Sequence, residues 1–175
     1  EGTIGDTLLL MEHPHVYTVG RRGADSDILR SKEELEVLGI QVHHVDRGGE
    51  VTYHGPGQLV GYPILDLKGW GGVSRYVQVL ETAIIETLQE FNLYTRRIQG
   101  LTGVWVWGGQ GGEERRKIAA IGLRISRGIS THGFALNVNT DIRYFDDIVP
   151  CGIPDSQTTS IAKELGIEVD TVEVE

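Results

Sequence analysis

Apolar residues recur along this chain in two spacings, which predict two kinds of secondary structure. Short apolar or alternating runs bounded by turn residues predict strands, and a spacing of three to four residues predicts a helix over 73–91. The strands are expected over 7–11, 16–19, 40–45, 51–53, 59–67, 103–107, 117–126 and 131–138. His13-Pro14-His15 separates the first two predicted strands, which indicates either a hairpin or a corner between them.

Capping residues predict further, shorter helices. A capping box of Ser31 and Glu34 begins a helix that runs through Leu38 and stops at Gly39. Candidates for the other helix starts are Asn139 or Asp141, before a short helix around Tyr144, and Ser156 or Thr158, before a final helix that runs through Leu165 and ends at Gly166. Because strands and helices do not alternate strictly, the sequence predicts a mixed-sheet α/β or α+β fold.

The length and the net charge of the chain limit the classes of protein to which it can belong. With 175 residues and an apolar content of 39%, the chain fits one domain with one core. Its formal net charge of −9 argues against non-specific binding to nucleic acid or to an anionic membrane. Arginine and lysine nevertheless cluster at 21–22, 96–97 and 115–117, which leaves open either a local basic face or a solvated surface of ion pairs.

The cysteine count and the hydropathy of the chain indicate the cellular compartment. A single cysteine cannot form an internal disulfide, and no apolar run approaches the roughly 18 residues of a membrane span. We therefore expect a reducing, cytoplasmic location. The chain begins at Glu1 without an initiator methionine, so we expect that some of the natural N-terminus is missing.

The single cysteine, Cys151, lies between turn residues in Val149-Pro150-Cys151-Gly152. A thiol in such a loop suits a nucleophile, although a lone cysteine is otherwise a small buried apolar residue. A nucleophilic thiol needs a nearby base or cation, and the candidates are Lys117, His54 and His132. Lys117 opens an apolar strand that could partly desolvate it, whereas the alternative interpretation is an exposed lysine at a strand end.

The segment 47–58, RGGEVTYHGPGQ, is rich in glycine and proline around a short strand. Together with Gly122 and Gly133, its glycines would let backbone N–H groups approach an acyl oxygen, or let an extended ligand chain pass. The chain has neither a GxxxxGK[ST] loop nor a GxGxxG motif, so the usual signs of nucleotide binding are missing. Its histidines do not lie in a zinc spacing with Cys151, and we expect no metal site.

Five motifs occur in a characteristic order, namely EHPHVYTVGRRG, RGGEVTYHGPGQLVGYPILDL, KIAAIGLRI, THGFALNVN and VPCGIPD. In this order and spacing the chain closely resembles the octanoyltransferases of lipoate biosynthesis. The resemblance implies the α/β catalytic domain that lipoate and biotin protein ligases share. It also implies one catalytic domain over 1–175, without a short N-terminal segment that the family normally has.

The activity that the resemblance implies is the transfer of an octanoyl group from acyl carrier protein to a lysine of lipoyl domains. The implied acceptors are the lipoyl domains of 2-oxoacid dehydrogenase E2 subunits and the glycine cleavage H protein, and no cofactor, nucleic acid or membrane is implied. In this family a thioester forms on the cysteine that is Cys151 here, and its partner is the lysine that is Lys117 here. The family's acyl-binding positions fall on Arg47, Gly48, Gly49, Glu50, Val51, Thr52, Tyr53, His54, Ala120, Ile121, Gly122, Gly133, Phe134 and Ala135.

Three alternatives remain open from the sequence. An octanoyl amidotransferase would also use a cysteine but would take its acyl group from a lipoyl protein. An ATP-dependent lipoate or biotin ligase of the same fold does not need the cysteine of the PCG motif, so Cys151 argues against it. A non-catalytic binding module would make no use of Cys151 in any reaction.

Overall fold

The computed structural model describes residues 5–108, 114–149 and 157–174. The strands are β1 (Thr7–Met11), β2 (Val16–Val19), β3 (Gln41–His44), β4 (Val51–His54), β5 (Gln58–Ile64), β6 (Thr95–Ile98), β7 (Leu101–Trp107), β8 (Arg115–Ser126), β9 (Ile129–Asn137) and β10 (Gln157–Thr158). The α-helices are α1 (Lys32–Leu38), α2 (Val73–Glu90) and α3 (Ile161–Leu165), and 3-10 helices span Asp25–Asp27, Ile142–Asp147 and Thr171–Glu173.

The strands form two sheets, which confirms the predicted mixed fold. The large sheet has the order β1-β5-β9-β8-β7-β6, with β10 paired to β8, and the small sheet has the order β3-β2-β4. Since β1 pairs with β5 whereas β2 pairs with β3 and β4, the break at His13-Pro14-His15 is a corner between the sheets and not a hairpin.

One face of the large sheet carries the main apolar core. Side chains alternate between the two faces of a strand, and one face of β7 and β9 presents Val104, Val106 and Leu136 to this core, which Val138 joins just after β9. Helix α2 covers the same face with Ile84 and Leu88, at the predicted helical spacing. Each such buried aliphatic side chain stabilises the fold by about 1.5–3 kcal/mol relative to an exposed one.

The small sheet has a second, separate core. Its strands present Tyr17, Val19 and Tyr53 to Leu35 of α1 and to Ile148. The predicted capping box at the start of α1 is confirmed, because the Ser31 hydroxyl accepts from the Glu34 N–H and the Glu34 carboxylate accepts from the Ser31 N–H. The small sheet is therefore held by its own apolar contacts, on one side of the large sheet.

Two predicted helix starts and one strand need correction. Ser160 caps α3 by accepting from the Lys163 N–H, and Thr158 is extended in β10, so the prediction of a start at Thr158 was wrong; Ser156 lies outside the described residues. Asp141, not Asn139, caps the 3-10 helix around Tyr144, because both Asn139 amide groups bond to the Val169 backbone.

Strand β6 was not predicted, since the sequence TRRI has no apolar alternation; it forms as the edge partner of β7. The predicted hairpin connection over 108–116 falls partly on 109–113, outside the described residues, although β7 and β8 do pair as antiparallel neighbours. None of the helices within the described ranges is both long enough and apolar enough to span a bilayer.

Candidate active site

An open cleft of about 1490 Å³ lies between the two sheets, on the face of the large sheet opposite α2. Strands β2, β3 and β4 line one side of it, and β5, β8 and β9 line the other. Of the predicted acyl-binding residues, those that line the cleft are Arg47, Gly48, Gly49, Val51, Thr52, His54, Ala120, Ile121, Gly122, Gly133, Phe134 and Ala135. Lys117 lines it as well, so the fold brings the predicted catalytic lysine and most predicted binding positions to one surface.

Two of the predicted segments are direct neighbours in the large sheet. Ala120 pairs with Ala135, and Gly122 pairs with Gly133, across the antiparallel ladder of β8 and β9. Small side chains at these opposed positions leave the floor of the cleft flat. Phe134 differs, because its ring packs against the core of the large sheet.

The glycines of the cleft floor allow neighbouring segments of backbone to approach the strands closely. A Cβ at Gly122 would lie 3.0 Å from Arg47 Cδ and 3.1 Å from the Gly48 carbonyl oxygen. A Cβ at Gly133 would collide with the carbonyl oxygen of Gly61 on the neighbouring strand. Glycine at 122 therefore lets the 47–50 loop lie against β8, where the Gly48 N–H donates to the Leu123 carbonyl at 2.8 Å.

Arg47 fixes this loop to the small sheet. Its buried guanidinium donates through Nη2 to the Thr18 carbonyl at 2.6 Å and to the Thr18 hydroxyl at 2.8 Å. The 47–50 loop therefore joins the two sheets, with hydrogen bonds to Thr18 of β2 and to Leu123 of β8.

Two predicted positions do not line the cleft. Glu50 is not part of its lining, although its carbonyl accepts from the Gly20 N–H. The Tyr53 side chain is fully buried in the core of the small sheet, where its hydroxyl lies 2.7 Å from His15 Nδ1 and its ring stacks on Tyr144. Burial raises the pKa of Tyr53 well above its usual value. Tyr53 therefore supports the wall of the cleft from behind.

A β-bulge turns Lys117 into the cleft. Val104 and Trp105 are consecutive on β7, but their partners on β8, Ala119 and Lys117, are two residues apart, so Ile118 is an extra residue. In a regular strand Lys117 would share a face with Ala119, which is buried in the core. With the bulge, Ile118 and Ala119 both contribute to the core, and Lys117 lines the cleft.

The ring of Trp105 lies beneath Lys117. Lys117 Nζ is 4.7 Å from the centroid of the fully buried indole, a cation–π arrangement that attracts an ammonium group. The bulge itself is supported from the core side, because the buried Glu81 of α2 accepts from the Gly103 N–H at 3.0 Å. Sequence reasoning gave Glu81 and Trp105 no role, since a buried carboxylate and a buried indole leave no distinctive motif.

A charged pair holds β10 beside Lys117. Thr158 pairs with Lys117, and the Arg116 guanidinium donates to both carboxylate oxygens of Glu164 in α3, at 2.7 and 3.0 Å. Burial opposes ionisation of Glu164, but hydrogen bonds from Arg116 and Thr159 keep its pKa below the usual value. The chain that follows the Cys151 segment is thus fixed against the lysine strand.

His54 and His132, the other candidate partners of the thiol, both line the cleft. His54 Nδ1 lies 2.7 Å from Gln58 Oε1, and burial lowers the pKa of His54 to about 4. His132 Nε2 lies 2.8 Å from a carboxylate oxygen of Asp46. His54 is therefore neutral near pH 7 and cannot supply a cation to a thiolate.

Cys151 lies outside the described residues, so its distance from Lys117 stays a prediction. The described residues on either side of it, Val149 and Gln157, both line the cleft. Within the described ranges, no group of three or more His, Cys, Asp or Glu side chains is arranged to hold a metal ion.

Comparison with known proteins gives one family and one fold. Residues 1–175 match the family model of the lipoyl protein ligase A/B catalytic domain. The octanoyltransferase of Acidobacterium capsulatum is 54% identical over 172 residues, which cover 94% of this chain and 70% of that protein.

Among solved structures, a bipartite lipoate protein ligase of Thermoplasma acidophilum superposes with a TM-score of 0.74 at 18% identity, over 95% of this chain and 66% of that one. Biotin protein ligase from Aquifex aeolicus, in complex with biotin and ATP, gives a TM-score of 0.55 at 19% identity, over 90% of this chain and 64% of that one. At these identities the likeness to the ligases shows a shared fold alone, and the chain spans about two thirds of their length.

Proposed function

Since this chain belongs to the lipoyl protein ligase A/B catalytic domain family and, within it, to the octanoyltransferases, we propose that Cys151 carries the octanoyl group as a thioester. The donor is octanoyl acyl carrier protein, and the acceptor is a lysine of a lipoyl domain. One observation carries the proposal: Lys117 and the described residues that flank Cys151 line the same cleft.

Chain connectivity supports the pairing of Cys151 with Lys117. Val149 lines the cleft and precedes Cys151 by two residues, and two residues span at most about 7 Å. On the other side, Thr158 is the direct strand partner of Lys117. The described residues before Cys151 therefore end at the cleft, and those after it begin beside the lysine strand.

The proposed reaction has two balanced steps. The Cys151 thiolate attacks the carbonyl of the donor thioester, a new carbon–sulfur bond forms and the donor's carbon–sulfur bond breaks, and the phosphopantetheine sulfur leaves with the proton that the Lys117 ammonium gives up. The uncharged amine of the acceptor lysine then attacks the enzyme thioester, an amide bond forms, and the Cys151 sulfur departs. Lys117 stabilises the thiolate as an ammonium in the first step and, once neutral, accepts the proton of the attacking amine in the second.

The cleft suits an acyl chain. Ala120 and Ala135 are opposed on its floor, and the aliphatic side chain of Val60 lies beside Ala135 on β5. The methylene groups of an octanoyl chain, at about 0.8 kcal/mol each, would supply roughly 5 kcal/mol of binding free energy on burial. We propose that the acyl chain lies on this floor, between the large and the small sheet.

We propose that the acceptors are the lipoyl domains of 2-oxoacid dehydrogenase E2 subunits and the glycine cleavage H protein. The Thermoplasma acidophilum lipoate protein ligase was analysed together with its E2 lipoyl domain, which supports this acceptor class.

The test is the intact mass of the protein after brief exposure to octanoyl acyl carrier protein without ATP. We expect the gain of one octanoyl group in the wild type, no gain in Cys151→Ser, and slow gain in Lys117→Ala. Lys117→Arg is the matched variant, because it keeps the cation but cannot act as a base. It should acylate Cys151 and then transfer the group slowly to a lipoyl domain.

Three outcomes would contradict the proposal. A requirement for ATP would indicate a ligase. A strong preference for an octanoylated lipoyl protein as donor would indicate an amidotransferase. Undiminished transfer by Cys151→Ser would remove the thioester intermediate.

A further inference from the structure

A chain of buried hydrogen bonds runs from His54 in the cleft to the backbone beside Lys117. His54 Nδ1 lies 2.7 Å from Gln58 Oε1, Gln58 Nε2 lies 2.9 Å from Asn137 Oδ1, and Asn137 Nδ2 lies 2.9 Å from the Thr159 carbonyl oxygen. All four residues are at least nine-tenths buried. Gln58 and Asn137 are also direct cross-strand partners on β5 and β9.

The backbone carbonyl at the end of this chain determines the direction of every hydrogen bond in it. A carbonyl oxygen only accepts, so the Asn137 atom facing Thr159 must be its NH₂ group. The Asn137 oxygen therefore faces Gln58 and must accept a hydrogen bond from the Gln58 NH₂ group. The same NH₂ group also donates to the Tyr53 carbonyl at 3.2 Å. The Gln58 oxygen is then the atom facing His54 Nδ1, which must carry the hydrogen.

The second ring nitrogen of His54 is left as an acceptor. With hydrogen on Nδ1, a neutral imidazole has a lone pair on Nε2. His54 lines the cleft, and among the described residues Nε2 neither makes a hydrogen bond nor counts among the buried polar atoms without a partner. Nε2 therefore keeps access to the cleft.

We propose that His54 is held as the neutral Nδ1–H tautomer by Gln58 and Asn137, and that its Nε2 accepts a hydrogen bond from the attacking lysine amine of the acceptor. The inference rests on the proposed function. In the transfer step Cys151 is held as the thioester, whose sulfur and carbonyl oxygen have no hydrogen to donate, whereas the attacking amine has an N–H for Nε2. Accepting one N–H orients the amine so that its lone pair can face the thioester.

The same chain relates His54 to Lys117. The Thr159 carbonyl accepts a hydrogen bond from the Asn137 NH₂ group, and the Thr159 N–H donates to the Lys117 carbonyl at 2.9 Å. Gln58 and Asn137 are therefore positioning residues, since they set the orientation of the acceptor nitrogen and join it to the lysine strand. His54 orients the amine and Lys117 takes its proton.

The charges around His54 favour its neutral form. Burial is the main cause that lowers its pKa to about 4, and the nearby Arg47, His13 and His132 act in the same direction, whereas the hydrogen bond to Gln58 opposes them. The ring of His13 lies 5.6 Å from the ring of His54, and Arg47 lines the same cleft.

The first test is nitrogen NMR of the histidine rings in the full chain, with His54→Ala to assign the signal. We expect the Nδ1–H tautomer, uncharged down to pH 5. An Nε2–H tautomer, or an imidazolium at pH 6, would overturn the proposal. This measurement does not depend on activity.

The second test uses Gln58→Glu, which places a carboxylate against Nδ1–H and so stabilises the imidazolium. Starting from the preformed octanoyl enzyme, the rate of transfer to a lipoyl domain is measured between pH 6 and pH 8. We expect the ratio of variant to wild-type rate to fall at least about tenfold towards pH 6, where Nε2 is protonated and no longer accepts. Because the measurement starts from the preformed octanoyl enzyme, a change in the acylation of Cys151 does not enter the ratio.

Gln78→Glu, on the exposed face of α2, is the matched control and should give a flat ratio. A flat ratio for Gln58→Glu as well would overturn the role of His54. Failure of the wild type to form the octanoyl adduct would instead contradict the proposed function, and the NMR measurement would still decide the tautomer.

Discussion

The two faces of the large sheet use neighbouring residues of the same strands in different ways. On β9, Leu136 faces the core beneath α2, whereas Ala135 and Asn137 face the cleft. The core face holds branched aliphatic side chains, and the cleft face holds small residues and buried amides. The core face therefore stabilises the fold by burial, and the cleft face leaves room and directed hydrogen bonds for a substrate.

The difference also shows how one strand can serve both faces. Strand β8 gives Ile118 and Ala119 to the core and Lys117 and Ala120 to the cleft, and only a bulge allows this order. A charged side chain two residues from a fully buried alanine is thereby kept out of the core, where an unpaired ammonium would be costly.

Leu136→Ala should show the largest loss of stability. The substitution removes a side chain that is 2% exposed and leaves a cavity in the core, so we expect the free energy of unfolding to fall by about 2–5 kcal/mol. Ala135→Gly, one residue away on the cleft face, should cost only about 0.5–1 kcal/mol. Urea denaturation of both variants measures the contrast, and equal losses would show that the two faces do not differ as described.

The pH dependence of stability should reveal the buried imidazole on the cleft side. His54 has a pKa of about 4 in the fold and about 6.5 when unfolded, so between these values the unfolded chain binds the extra proton. Protonation of His54 therefore does not affect the free energy of unfolding above pH 6.5. As the pH falls from 6.5 towards 4, it lowers the free energy of unfolding by about 3 kcal/mol. His54→Gln, measured by denaturation at each pH, should decline less steeply; parallel curves would contradict the assignment.

Gly103→Ala should disturb the bulge that turns Lys117. Gly103 has a φ of 118°, and a Cβ there would lie 2.6 Å from the Ala119 carbonyl oxygen. Gly100, with a φ of 82° and no atom within 4 Å of its Cβ position, is the matched control for backbone strain alone. We expect Gly103→Ala to lower the free energy of unfolding by about 1–2 kcal/mol more than Gly100→Ala does, by thermal or urea denaturation.

Local patterns were sufficient for most elements of the fold. The alternation of β8 and β9, the capping box at Ser31 and the helical spacing of α2 all correspond to observed elements. They could be predicted because each depends on residues a few positions apart. The edge strand β6 was missed because its TRRI sequence becomes a strand only through pairing with β7.

Most of the positions predicted for the candidate site line one cleft. The resemblance of its motifs indicated Lys117 and the segments that meet on the cleft floor. The orientation of Tyr53, away from the cleft, was not predicted, because burial in the small sheet depends on contacts with Tyr144 and His15. The Gln58–Asn137 link was missed as well, although a glutamine at the start of an apolar strand is a signal that could have been used.

The sequence by itself determined the mixed fold, because apolar periodicity is a property of the chain, and its motif order indicated Lys117 and several other residues that line the cleft. Only the tertiary structure decided which way those residues face. An extra residue in β8 reverses the direction of Lys117, and a backbone carbonyl of Thr159, 22 residues along the chain from Asn137, fixes the tautomer of His54. Both effects arise from hydrogen bonds between segments that are distant in sequence, and no local pattern encodes them.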